Sequence, residues 1–325
     1  MTLTMRSGEI VDRVWENNIM TDVFADHPVI AQMDETTALN KLQELGDPSL
    51  VDPEDLPGFR GARAKGVISE FFQRKKPIWY SNSHVYGFVR EPEPAAKLID
   101  IVDVGNHSSD DSLKNRRITV TLNHLRVADY PGSGAHRILF DFYAQNNVGG
   151  VSEELHFNAT YRVKDGERAA IRGYPIFVGL NVGSQGLAFR CYTVNVSNDD
   201  DEAFLRKLDS DVFKNGLKLA AVAQPAIAPL SGIAIALTKS IAERHRNVPV
   251  QDFSLGLDFK VTPGGGRLAK GSYLVVQVPE EDRVMWNWAE WKFDLSQGQV
   301  VNQNDPTQLI PYNYIVFGVS EYLEA

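Results

Sequence analysis

Few residues in this chain could take part in catalysis or bind a metal, and their spacing matches no nucleophile–base or metal-binding motif. The sequence has seven histidines and one cysteine, Cys191. No two histidines are four residues apart, so the helical pair of a zinc site is absent, and a single cysteine cannot form an internal disulfide. Cys191 lies in the alternating segment 187–194, which predicts a buried strand residue rather than a nucleophile. The alternative that the protein is an enzyme of an unidentified reaction is kept, but the sequence names no catalytic residue for it.

An acidic run at Asp199, Asp200 and Asp201, continued by Glu202, is a candidate for holding a cation. Carboxylate oxygens are the ligands that calcium prefers. The same run precedes apolar residues at helical spacing, which is typical of a helix N-terminus, where the dipole favours negative charge. Both interpretations stay open for the three aspartates.

A cluster of tryptophans near the end of the chain indicates a contact surface. Trp291 alternates with Phe293 and Leu295, a pattern that favours a buried strand position. Trp286 and Trp288 lie outside that alternation. Because aromatic side chains supply much of the contact energy at binding surfaces, we expect these two to contact a ring or a peptide.

Compact basic groups occur at two places in the sequence. One consists of Arg74, Lys75 and Lys76, and the other of Arg244 and Arg246. A basic residue near an anionic membrane surface contributes about 1 kcal/mol to binding. These five residues are candidates for contact with lipid headgroups, and ordinary solvated charge is the alternative.

Residues 219–238 run twenty positions without a charge. The segment is rich in alanine and contains Pro225 and Pro229, so it predicts two packed helices around a turn rather than a constitutive membrane span. Its release on a trigger would make the chain a latent membrane-active effector that uses residues 219–241, and this alternative is kept. The contact candidates on the apolar face of the second helix are Ile233, Leu237 and Ile241.

After residue 117 the apolar residues recur with a period of two, most strictly over 155–163. Such alternation predicts antiparallel strands with one buried and one solvated face. Before it, Asp34 and Gly46 bracket a helical stripe as an N-cap and a C-terminal glycine. We predict an α+β fold, in which a mainly helical N-terminal region precedes an antiparallel β-sandwich with an inserted helical hairpin. The predicted units are 1–104, a linker at 105–115, and a sandwich at 116–325 with its insertion at 199–246.

The segments 118–122, 128–134 and 138–142 resemble the first strand, the following loop and the second strand of a C2-type β-sandwich. The resemblance covers residues 118–322. It implies binding to a phospholipid surface or a protein partner, with calcium as a candidate cofactor held by loop aspartates. The matching loop offers one aspartate, Asp129. The other candidate metal ligands, Asp199, Asp200 and Asp201, cluster elsewhere in the sequence.

The chain is acidic, with a formal net charge of −9 over 325 residues. This negative net charge argues against a dedicated nucleic-acid-binding protein, which usually has a basic domain. The first residues lack the apolar stretch of a secretory signal, so the sequence predicts a cytoplasmic protein. We therefore expect a non-catalytic binding module that recognises a protein partner or a membrane surface through its loops and the insertion.

Overall fold

The structure is a computed structural model that describes residues 22–47, 77–91, 97–149, 151–201, 205, 216–220, 228–262 and 264–324. The basic group Arg74, Lys75 and Lys76 and much of the predicted helical insertion lie outside these residues. The described residues form three β-sheets with a few helices. The prediction of a strand-rich α+β fold with sandwich-like sheets is confirmed.

Fifteen strands are found in the described part of the chain, and most of them place alternate residues on opposite faces of a sheet. In chain order they are β1 (Ser83–Arg90), β2 (Leu98–Asp100), β3 (Val102–Asp103), β4 (Arg117–Arg126), β5 (Ala135–Val148), β6 (Val151–Lys164), β7 (Tyr174–Asn181), β8 (Gly186–Asn195), β9 (Leu217–Lys218), β10 (Val248–Asp258), β11 (Gly266–Arg267), β12 (Gly271–Val278), β13 (Trp291–Asp294), β14 (Gln299–Asn302) and β15 (Asn313–Glu321).

The strands pair into one large, one medium and one small sheet. The seven-stranded sheet has the order β3-β1-β12-β15-β4-β7-β9, and the five-stranded sheet has the order β11-β10-β8-β5-β6. The small sheet has the order β14-β13-β2. The pairings are antiparallel except for the two short pairs β10–β11 and β7–β9.

The two larger sheets pack face to face through aromatic side chains. Phe317 on β15 has its ring centroid 5.3 Å from that of Phe142 on β5 and 5.4 Å from that of Phe189 on β8. All three side chains are buried, as is Cys191 on β8. Burying apolar surface contributes about 25 cal/mol per Å², so this interior is the main source of stability.

Residues on both sides of the predicted linker at 105–115 contribute to one sheet. β1 pairs with β12 over its whole length, from Ser83 opposite Val278 to Arg90 opposite Gly271. The intervening segment is packed against the core at Leu113, which is buried. The predicted boundary therefore falls between two strands of the same sheet.

The small sheet covers part of the outer face of the seven-stranded sheet. Phe293 on β13 and Val300 on β14 share a second apolar cluster with Val276 on β12 and Val316 on β15. This second cluster is separate from the interior between the two larger sheets. The small sheet thus creates edges and clefts where it meets the larger one.

Three α-helices are described: α1 (Glu35–Leu45), α2 (Ala228–Glu243) and α3 (Glu280–Val284). The predicted caps of α1 are confirmed, since the Asp34 carboxylate accepts from the Thr36 and Thr37 backbone N–H groups and Gly46 ends the helix at φ 71°. Across the described ranges, no helix has the length and apolar character needed to cross a membrane.

Candidate functional site

An open groove of about 820 Å³ lies where the small sheet meets β1 and β3. Its walls come from β1, from the 98–103 segment, and from the α3–β13 region. Sheet pairing fixes these walls, because β1 pairs with β3 and β2 pairs with β13. The groove is therefore built by chain segments almost two hundred residues apart.

Three tryptophans form one side of this groove. The Trp286 ring is stacked with that of Trp291 at 6.3 Å between centroids, and it meets the Trp288 ring edge-on at 5.2 Å. Trp288 is 7% exposed and donates its indole N–H to the Tyr86 carbonyl at 3.1 Å. The contact is close because Gly87 has no side chain: a Cβ there would lie 2.8 Å from Trp288 Cζ2.

The Trp286 indole N–H is buried without a hydrogen-bond acceptor among the described residues. Buried polar groups in proteins are almost always paired, and an unpaired one costs about 1–3 kcal/mol. His84 Nε2, on another residue of the groove lining, is likewise buried without a hydrogen-bond partner among the described residues.

The charged side chains that line the groove balance each other. Asp100 forms an ion pair with Lys292, while Asp103 and Arg283 add one charge of each sign. His84 also lines the groove, and burial lowers its pKa to about 4, so its imidazole is neutral at physiological pH. Such a surface suits a ligand with little net charge.

A second depression of about 540 Å³ adjoins the groove and shares Asp100, Val102 and Asn106 with it. The strand segment 98–103 thus has a concave surface on each side. In the described part of the chain, β2 and β3 are the terminal strands of their sheets. Terminal strands offer backbone N–H and C=O groups that an added strand can pair with.

Two of the most exposed apolar side chains lie beside the groove. Val284 is 79% exposed and Met285 is 81% exposed, and they lie directly between the groove residues Arg283 and Trp286. Single exposed apolar residues are ordinary, but a pair beside an aromatic cleft is typical of a contact surface.

A different cluster has the residue types of an acid–base site but is closed to solvent. His156 Nδ1 lies 2.9 Å from Asp141 Oδ1, while Asn158 Nδ2 and the Thr238 hydroxyl donate to Asp141 Oδ2 at 3.0 Å and 2.8 Å. All four side chains have 0% exposure. The Ser231 hydroxyl accepts from the His156 backbone N–H. Because no substrate reaches these atoms, the cluster fastens α2 to the five-stranded sheet.

The expectation that the polar face of β6 is solvated is wrong for His156 and Asn158. These residues point away from the sandwich interior, as their place in the alternation requires. α2 covers them, and its Ser231 and Thr238 supply the polar contacts that water would otherwise make. The sequence showed which face was polar, but not that a later helix would bury it.

Residues 22–32 cover the neighbouring part of the same sheet face. The Phe24 ring stacks on Tyr192 with 4.4 Å between centroids. Arg190 pairs with Asp252 at 2.6 Å and with Asp22 of the covering segment at 2.7 Å. This ion-pair network, in which Arg190 and Asp252 are largely buried and Asp22 is exposed, anchors the segment. Sequence analysis missed it because Arg190 and Asp252 converge through strand pairing.

The candidate metal ligands lie in separate surroundings. Asp201 is buried and accepts hydrogen bonds from Arg244 and from Asn247 Nδ2, while Asp200 is exposed. Asp129 lies in the loop before β5, where its backbone N–H donates to Asn313 Oδ1. Asp199 lies in the same short 3-10 helix as Asp201. Within the described ranges, no three histidine, cysteine, aspartate or glutamate side chains form a group that could hold a metal ion.

The candidate contact residues on α2 divide by exposure. Leu237 and Ile241 are buried against the sheet, whereas Ile233 is 60% exposed. At the end of α2, Arg244 pairs with Asp201, and Arg246 is exposed. The apolar face of α2 is thus largely used for packing.

The structure brings together Trp286 and Trp288, the predicted aromatic candidates, and adds Trp291, which the alternation assigned to the core. Trp291 is half-buried and lines the groove. Tyr86, His84 and the 98–103 segment were missed as groove residues. Their aromatic and strand-like character was visible in the sequence, but their neighbours across the sheets were not.

Comparison of this chain with protein-family models, curated proteins and solved structures finds no match.

Proposed function

We propose that this protein is a non-catalytic binding module that recognises a protein partner by holding an extended, weakly charged peptide segment along residues 98–103. The peptide would lie beside the terminal strand β2 or β3 and insert a side chain into the tryptophan-lined groove. The open tryptophan-lined groove beside two terminal strands carries this proposal, because an added strand can pair with their backbone groups while one of its side chains enters the groove. The C2-like resemblance and a cytoplasmic location stay predictions.

The shape of the surface supports a chain-like ligand. Two adjoining concavities on either side of one strand segment suit alternate side chains of an extended peptide, since these point to opposite sides. Terminal strands supply main-chain hydrogen bonds, and pockets for side chains supply specificity.

The chemistry of the groove supports an uncharged side chain as its occupant. Aromatic walls and paired charges exclude a strongly ionic group, because burying an unpaired charge is costly. Tryptophan and arginine are the residue types most enriched among energetically dominant interface positions. Trp286 and Arg283 stand together at the groove, with Val284 and Met285 exposed between them.

The test is selection of a random peptide library displayed on phage against the full chain, followed by affinity measurement with the enriched peptides. We expect enriched sequences with uncharged apolar residues at alternate positions. Replacing Val284 or Met285 with aspartate should weaken their binding at least tenfold, about 1.4 kcal/mol, because it places a charge beside the groove.

The matched control is Leu323→Asp, since Leu323 is 78% exposed and outside the groove lining. It should bind the peptides as the unaltered chain does. Equal affinity of the Val284→Asp and unaltered chains, or no enriched peptide at all, would overturn the proposal. Sedimentation with phosphatidylserine vesicles is measured in parallel. Loss of vesicle binding in the two groove variants, without any peptide enrichment, would assign the surface to membranes instead.

A further inference from the structure

A second concave site lies at the turn between β13 and β14 and is distinct from the tryptophan-lined groove. It is a pocket of about 290 Å³, and the residues that matter for its chemistry are His124, Arg168, Arg172, Ser296 and Gln297. None of these residues lines the tryptophan-lined groove. The proposed function does not use this pocket.

A β-bulge turns His124 toward this pocket. On β4, Leu122 pairs with Phe317 and His124 pairs with Val316, so Asn123 is an extra residue between two consecutive partners. After the bulge, Leu125 takes the buried interior position that alternation would have given to His124. Bulges often redirect a side chain next to a functional site.

The pocket carries positive charge that no described carboxylate neutralises. Arg168 and Arg172 line it, and Arg126 lies opposite Arg168 in an isolated β-bridge. Among the described residues, none of these three arginines is within ion-pair distance of an aspartate or glutamate. The nearby Asp294 carboxylate accepts hydrogen bonds from Ser296 and Gln297 instead.

His124 adds an unpaired polar atom at the same place. His124 is only 8% exposed, and its Nδ1 atom has no hydrogen-bond partner in the described part of the chain. Burial, with the charges of Arg168 and Arg172, lowers the pKa of His124 to about 4. Gly298 leaves room for the imidazole ring, because a Cβ there would lie 2.6 Å from His124 Nε2.

Arg168 donates to the Gly298 carbonyl and Arg126 to the Gly166 carbonyl, so each has a backbone partner but no carboxylate partner among the described residues. Guanidinium groups without a carboxylate and an unpaired imidazole nitrogen are the complement of an anion. Arginine matches phosphate and carboxylate oxygens with two parallel N–H bonds. A phosphate group carries a charge of about −1.5 to −2 at neutral pH, which fits two or three arginines better than a single carboxylate does. The volume is near the lower end of ligand pockets, so the ligand is small.

We propose that this pocket binds a phosphate group, either as inorganic phosphate or as the phosphate ester of a small molecule. Arg168 and Arg172 hold the phosphate oxygens, Arg126 adds long-range attraction, and His124 Nδ1 makes the inner polar contact. The site is independent of peptide binding at the tryptophan-lined groove.

The test is calorimetric titration of the full chain with inorganic phosphate, glycerol 3-phosphate and acetate at fixed ionic strength. We expect saturable binding of a phosphate probe and weaker binding of acetate. Tighter binding of inorganic phosphate would identify the free ion as the ligand, and tighter binding of glycerol 3-phosphate would identify a phosphate ester. Arg172→Gln should weaken binding at least tenfold, because it removes a charged hydrogen-bond donor from the phosphate oxygens.

The matched control is Arg116→Gln, which removes the same charge from an exposed arginine outside the pocket. It should bind phosphate as the unaltered chain does. In NMR titrations, phosphate should raise the pKa of His124, because a nearby anion favours the imidazolium form. Absence of saturable binding to either phosphate probe, equal loss in the two arginine variants, or an unmoved His124 resonance would overturn the proposal. The Val284→Asp chain should still bind phosphate, so failure of the peptide proposal would be recognised separately.

Discussion

The five-stranded and the seven-stranded sheets both carry aromatic and polar side chains on the face that points away from the sandwich interior. On the five-stranded sheet, α2 and residues 22–32 cover these side chains, and Asp141 and His156 have no exposure. On the seven-stranded sheet, the small sheet covers part of the face and leaves an open groove beside Trp286. Similar residue types thus have opposite accessibility.

This difference shows that residue type alone is a poor guide to function in this chain. The covered face holds the arrangement that most resembles an acid–base pair, yet its hydrogen bonds fasten a helix to a sheet. Among the described residues the open face lacks such a pair, yet its groove and its terminal strands are open to a ligand. Four measurements test this difference between the covered and the open face.

The largest effect is expected on the covered face. Asp141→Ala leaves His156, Asn158 and Thr238 without their common acceptor in a buried site, so the free energy of unfolding should fall by about 3–5 kcal/mol. Urea unfolding followed by circular dichroism measures it. Asp141→Asn, which keeps the volume and one acceptor oxygen, should lose less. A loss below about 1 kcal/mol for the alanine variant would contradict the fastening role.

The next largest effect on stability is expected at one of two positions on α2, Leu237 and Ile233. Leu237→Ala should lower the free energy of unfolding by about 3 kcal/mol, because it opens a cavity against the sheet. Ile233→Ala should change it by no more than about 0.5 kcal/mol, since Ile233 is mostly exposed. Thermal unfolding of both variants is the measurement. If both variants lose about 3 kcal/mol of the free energy of unfolding, α2 packs on the sheet through a different face. If both variants change it by less than about 0.5 kcal/mol, α2 is not held by the sheet, and the alternative of a helix that can be released is favoured.

A third, smaller effect concerns pH at the open groove. His84 protonates near pH 6.5 when unfolded and near pH 4 when folded, so the unfolded state binds more protons between these values. The free energy of unfolding should therefore decrease by about 2–3 kcal/mol as the pH falls from 6.5 to 4, with the full contribution present above pH 6.5. His84→Gln should show a shallower decrease in urea titrations across this range. An unchanged slope would show that this imidazole is not buried in its neutral form.

The smallest effect on stability is expected at the rim of the groove. Val284→Asp should alter the free energy of unfolding by no more than about 0.5 kcal/mol, because the side chain is mostly exposed. The same holds for the control Leu323→Asp. A clear loss of stability in the Val284 variant alone would mean that this residue packs against something in solution, and its effect on peptide binding would then need a different explanation.

Several features followed from the sequence because they depend on neighbouring residues. Asp34 and Gly46 set the ends of α1 through local backbone hydrogen bonds and a left-handed glycine. Alternation over 155–163 placed β6 in an antiparallel sheet, and the helical spacing of apolar residues after Pro229 anticipated α2. Trp286 and Trp288 stood out as contact candidates by their position outside an alternating run.

The remaining features depended on contacts between distant segments, which no local pattern encodes. Strand pairing alone put β1 beside β12 and brought Tyr86 to Trp288. Packing of α2 buried the polar face of β6, and a bulge on β4 turned His124 toward two arginines. A sequence sets which face of a strand is polar. Whether water, a helix or an open groove meets that face is decided when the sheets and helices pack.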